Sequence, residues 1–162
     1  MKVPDAIEKM IDFYKGDLHD INHFLKVWAF AKSIGEREGL DAHTQETLEL
    51  AVVVHDISCP LCREKYGDTN GRHQELESAP LVKAFLAGDD CGADVERISW
   101  LVSHHHTYTD VDGMDYHILL EADFIVNAGE SGYSKSAIES AKKQFFRTSA
   151  GLRLLNSIYL KG

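Results

Sequence analysis

An imidazole and a carboxylate stand side by side at His55-Asp56, directly after the apolar run Leu50-Ala-Val-Val-Val54. Groups of this kind are costly at the end of a buried segment unless they are paired or hold a metal. The same residue types recur at His23 upstream and at His73, His104, His105 and Asp123 downstream. His23, His55, Asp56 and Asp123 together offer two nitrogens and two carboxylates. On a six-coordinate ion this set leaves room for a water and a substrate oxygen, and the mixed donors suit Mn, Fe, Co, Ni, Zn or Mg. With Asp56 bridging through both oxygens, His73, His104 and His105 would hold a second ion about 3.5–4 Å away.

These side chains must be brought together by helices, because the apolar pattern has a helical period almost throughout. Pro4-Asp5 opens a short helix that Gly16 ends, and a long one runs from about Leu18 to Glu38 with Gly39 at its cap. His23 shares its inward stripe with Val27, Phe30, Ala31 and Ile34. Thr44 is the expected N-cap of a third helix that reaches the His55-Asp56 doublet. An irregular stretch follows, Ser58 to Gly71, then helices from Arg72 to Leu86, Ala93 to His104 and Tyr116 to Ala128. Asp123 falls on a face shared with Leu119, Leu120 and Phe124. Residues 134–160 read as one or two amphipathic helices whose stripe packs as core or forms a homodimer contact. The expected fold class is an all-α, compact multi-helix bundle, a single domain over residues 1–162.

The balance of charge narrows the partners. A formal charge of −9 over 162 residues argues against a long nucleic acid, whose backbone needs a basic footprint. It leaves room for a small anionic substrate, since divalent cations invert a local field. No apolar run approaches the roughly 20 residues that span a bilayer, and Met1-Lys-Val-Pro-Asp5 shows no signal-peptide pattern, so a cytoplasmic location and no membrane partner are expected. Three cysteines make no disulfide framework. Cys59-x-x-Cys62 lacks the second pair of a zinc site, and with Cys91 it reads as ordinary thiols.

In order along the chain, His23-x-x-Lys-Val27, Ala51-Val-Val-Val-His55-Asp56-Ile57, His73, Val102-Ser-His104-His105 and Glu121-Ala-Asp123 resemble the HD superfamily of metal-dependent phosphohydrolases. The resemblance covers about residues 19–128 and extends to Glu36-Arg-Glu-Gly-Leu-Asp41 between the first two motif helices. It implies an HD-type hydrolase domain with His23, His55, Asp56 and Asp123 as primary ligands, and the extra histidines resemble those of the two-metal branch. Hydrolysis of phosphomonoesters, nucleotides or cyclic dinucleotides is the implied activity, with di-iron oxygenation in a minority of relatives and nucleotide sensing as a further alternative. The chain departs from several subtypes. Cys59-Pro60 stands where nucleotidase and alarmone-hydrolase relatives carry acidic residues, and His106-Thr-Tyr-Thr109 replaces the Gly-Tyr-Pro of cyclic-dinucleotide phosphodiesterases.

The chemistry so implied is attack on a phosphoester by water whose pKa a metal lowers, with Asp56 orienting it. Lys26, three residues after His23, is the first candidate for a cation facing phosphoryl oxygens, ahead of Arg63, Lys65 and Arg72. The 58–71 stretch would act as a lid or specificity element. Glu77 would support His73, while His106 reads as a loop residue and His19, His43 and His117 as surface or capping residues. Metal ligation requires neutral imidazoles, so metal affinity and activity are expected to fall as pH drops through about 6.5. Metal titrations on either side of that value check this; full activity in Asp56→Ala, or in excess chelator, contradicts it.

Overall fold

Short polar side chains start most of the helices by accepting an otherwise unpaired amide. Asp17, Asp41, Asn70, Asp94, Ser134 and Thr148 each do so. The computed structural model describes residues 1–88 and 92–161. These form α1 (Val3–Phe13), α2 (Leu18–Arg37), α3 (Ala42–Val53), α4 (Cys59–Tyr66), α5 (Gly71–Leu86), α6 (Val95–His104), α7 (Met114–Ser131), α8 (Lys135–Phe145) and α9 (Ser149–Leu155), then a π-helical turn over Asn156–Leu160. The architecture is all-α, with no strand among the described residues.

The middle of the bundle is α3, which packs against α1, α2, α6 and α7. Every residue from Thr47 to Val53 is buried, so the last two turns of α3 have no solvent-facing side. Its end is therefore an interior position, and the doublet that follows it is delivered into the core. Helix α2 lies between α3 and α7, and α5 pairs with α6. Three of these helices, α2, α6 and α7, bring motif residues toward the end of α3.

Several boundaries differ from the sequence reading. The cap of α3 is Asp41: its carboxylate accepts both the amide and the hydroxyl of Thr44, at 2.9 and 2.7 Å. The stretch from Ser58 to Gly71 is half helical. Pro60 is tolerated in the first turn of α4, where no amide is needed, and Gly67 ends the helix at φ +74°. Helix α7 runs one turn beyond Ala128, and that extension carries Glu130. Cys59 and Cys62 are buried free thiols, while Cys91 lies outside the described residues. Among the described residues no helix is long and apolar enough to cross a membrane.

A buried carboxylate ties the C-terminal helices to the motif core. Glu121, fully buried on α7, accepts the Thr148 hydroxyl at 2.6 Å and the amides of Arg147 and Thr148 at 3.1 and 3.2 Å. Burial pushes its pKa up, and those donors oppose the shift. Gly151 is required beside it, because a Cβ there would lie 1.9 Å from Glu121 Oε1. Glu121→Ala strands the donors at the start of α9 and is expected to cost about 1.5–3 kcal/mol, the range for hydrogen bonds to a charged group. Gly151→Ala should also destabilise by displacing the carboxylate. Chemical denaturation of both variants checks these outcomes.

Candidate metal centre

Each functional side chain is placed by a helix end or an inward helix face. His23 lies on the buried stripe of α2, and Asp123 on the inner face of α7. After Val53 the chain leaves the α-helix in tight turns that point His55 and Asp56 back toward α2 and α7. His105 and His106 lie in the turn that follows α6. That turn is braced by the Tyr116 hydroxyl on the His104 and Thr107 carbonyls, and by Glu75, which accepts the His106 amide at 3.1 Å and the Thr107 hydroxyl at 2.8 Å.

His23, His55, Asp56 and Asp123 meet at one point. His23 Nε2 lies 3.2 Å from His55 Nε2, from Asp56 Oδ2 and from Asp123 Oδ1. His55 Nε2 lies 3.4 and 3.3 Å from the same two carboxylate oxygens. The outer nitrogens explain what these atoms are. His55 Nδ1 is 2.7 Å from the Val52 carbonyl, which can only accept, so the proton is on Nδ1 and the neutral ring keeps a lone pair on Nε2. His23 Nδ1 lies 2.5 Å from Glu130 Oε1, which assigns it the same tautomer. With both rings neutral, lone pairs therefore face carboxylates across the gap, an arrangement that either a metal ion or a proton on Nε2 relieves. The spacing fits a metal: donors about 2.0–2.1 Å from a tetrahedral centre stand about 3.3–3.4 Å apart.

A second group shares Asp56. Its other oxygen, Oδ1, lies 3.4 Å from His105 Nε2. His105 is fully buried, its Nδ1 donates to the Val102 carbonyl at 2.7 Å, and its Nε2 has no hydrogen-bond partner. An unpartnered lone pair beside a carboxylate is again a donor pair suited to a cation. His106 completes this group, with ligand atoms within 4.8 Å of one another. Its Nε2 faces the Gln74 side-chain oxygen at 3.1 Å, and burial, followed by the charge of His105, lowers its pKa to about 3. Gly71 makes room for this ring: a Cβ there would come within 2.7 Å of it.

Both groups open into a cavity of about 190 Å³ whose wall includes Asp20, Asp56, Asp123 and Glu130 against the single arginine Arg63. That excess of carboxylate suits cations. Other residues singled out from sequence lie elsewhere. His73 points to Asp68 at 2.8 Å and stacks on Tyr66, so it joins neither group; Glu77 is engaged by Lys65 and Tyr66. His104 bonds the Trp100 carbonyl and stacks on that indole, because consecutive positions at a helix end point about 100° apart. Lys26 is outside the cavity wall and reaches Glu130 at 3.4 Å. The sequence reading missed Glu130 and set His106 aside. Glu130 had a signal: Asp123, Asn127 and Glu130 follow an i, i+4, i+7 pattern, one face of a helix.

Residues 20–138 match the model of the HD domain family, so the chain belongs to that family, most of whose members are metal-dependent phosphohydrolases. Neither the curated proteins nor the solved structures give a match to this chain.

The metal-free cluster draws in protons instead. Burial alone would depress His23, yet hydrogen bonds to Asp123 and Asp56 lift its pKa from 6.5 to about 11. Against burial, the charge of His55 and hydrogen bonds from His105 and His23 hold Asp56 below the usual carboxylate range, and hydrogen bonds from His23 and His55 hold Asp123 there. With the folded value raised, this proton's stabilisation is complete below 6.5 and is lost as pH climbs toward 11. A metal must displace that proton, so affinity is expected to keep rising with pH above 6.5, the point where an unperturbed imidazole would level off. Calorimetry of Zn²⁺ uptake near pH 8, in buffers of different ionisation enthalpy, should show about one proton released from His23. Zero release would mean that His23 is already neutral there.

Proposed function

We propose that the protein is a two-ion phosphohydrolase that releases phosphate from a small phosphorylated metabolite or nucleotide. The observation that carries this reading is Asp56: one oxygen addresses His23 and His55, the other addresses His105, and the carboxylate sits in the cavity wall. Divalent ions in these two groups would lower the pKa of water toward neutrality and neutralise charge on a phosphoryl group.

The chain's own residues supply binding and orientation. Arg63 takes the anion-binding role in preference to Lys26, since it lines the cavity and Lys26 does not. Asp20 grips Arg63 in a fork, Nη1 and Nη2 each at 2.8 Å. A guanidinium has five N–H donors, so three stay available for phosphate oxygens. Gln74 and Asn127 add neutral amides to the wall. Helix α4 and the 67–70 link to α5 contribute Cys59, Arg63 and Thr69 to that wall, which gives the segment between the doublet and α5 the role of a specificity element.

Elemental analysis followed by a phosphoester panel on Mn²⁺-, Zn²⁺- and Fe²⁺-loaded protein tests the reading. The expected result is up to two ions per chain and phosphate release that Asp56→Ala reduces by roughly 100-fold or more, the scale of losing transition-state charge stabilisation. Arg63→Ala should raise KM by roughly 10–100-fold, in line with a charge-assisted hydrogen bond of about 1.5–3 kcal/mol. Oxygen uptake by an iron-loaded form that releases no phosphate would replace hydrolysis with oxidation, and unchanged turnover in Asp56→Ala would end the proposal.

A further inference from the structure

The imidazoles of His23, His55 and His105 are not anchored alike. His55 and His105 give their Nδ1 protons to backbone carbonyls, whereas His23 gives its proton to the carboxylate of Glu130. Helix α7 therefore touches the His23 ring at both ends, with Asp123 at Nε2 and Glu130 at Nδ1. The two acidic residues are seven positions apart, about two helical turns and 10.5 Å of rise, so one face of α7 reaches around the ring. The other oxygen of Glu130 faces Lys26 at 3.4 Å and, more distantly, His19 Nε2 at 3.9 Å. Both come from α2, one turn to either side of His23. The Glu130 side chain is 17 % exposed and lines the cavity without joining either ligand group.

We propose that Glu130 is a positioning residue of the metal centre: it locks the tautomer and orientation of His23 and raises the electron density that Nε2 offers to the ion. The inference rests on the metal-dependent reading above. A carboxylate is a stronger acceptor than the carbonyls used by the other two rings, and such outer partners commonly govern affinity. If Glu130 served only as half of the surface pair with Lys26, its removal would be worth little and would leave the metal untouched.

The test uses the full chain stripped by chelator, with Mn²⁺ and Zn²⁺ alone as probes. Glu130→Gln keeps the shape and removes the charge; Glu130→Ala removes the contact. Both are expected to bind each metal about 10–100-fold more weakly, with Ala the weaker of the two. In the zinc-loaded protein the His23 Nδ1 proton should give a slowly exchanging downfield resonance that is lost in Glu130→Ala. Affinities within about twofold of the parent, with that resonance retained, would overturn the proposal. Glu130→Gln carries the test alone if the alanine variant does not fold, as judged by circular dichroism of the metal-free forms. His23→Ala separates the two levels of argument. Loss of metal there, with Glu130 variants unaffected, defeats only the role of Glu130; a parent protein that binds neither metal defeats the metal reading and this inference with it.

Discussion

Two imidazoles and two carboxylates are gathered at one point inside the bundle. The Nε2 atoms of His23 and His55 stand 3.2 Å apart and 3.2–3.4 Å from two aspartate oxygens, beside the cavity. The two carboxylates repel each other and favour positive charge between them, as the raised pKa of His23 and the lowered values of Asp56 and Asp123 express. Much of the surrounding structure can be understood as holding these groups in place against that repulsion. The helix behind the doublet is buried on all sides from Thr47 onward, the turn after α6 is braced by Tyr116 and Glu75, and α9 is tied to the motif helix through Glu121.

Helix α7 has several separate duties. Asp123 faces the cluster and Glu121 faces α9. Its last turn, which follows Ala128, ends with Glu130 against the far side of the His23 ring. Placing these carboxylates on one rigid rod fixes their mutual distances, and a loop could not do so. The opposing face of the cavity is built differently. There the Asp20–Arg63 fork joins the start of α2 to α4, so the cavity's one arginine is attached to an element that also carries the two buried thiols.

Membership of the HD domain family and the convergence of ligands are consistent with each other, and the convergence adds detail that the motif lacks. The string of histidines at 104–106 illustrates this. Spacing pointed to His104 and His105, but the chain leaves α6 at His104, so the ring at that position lies along Trp100 while the next two turn inward. His73 likewise falls one residue before Gln74 on α5: Gln74 lines the cavity and His73 stacks outward on Tyr66.

Helical content, the order of the helices and the four residues that meet at the centre were legible in the residues, because each depends on local information. An apolar period of 3.6 reports which face of a helix is buried, and a histidine or aspartate on that face announces an unusual partner. The misread features all depended on where a helix stops or what lies across from it. Asp41 replaced Thr44 as a cap, α4 formed in a stretch that Pro and Gly made look irregular, and α7 ran on to Glu130. One residue of difference at a helix end rotates a side chain by about 100°, enough to exchange His104 for His106 or to bring a carboxylate up to a ring 107 positions away in the chain. Local pattern thus determined which residues would be buried with unmet bonding capacity. Only the packing of α2, α3, α6 and α7 decided which of them meet, because distances between helices are set by contacts that no single segment contains.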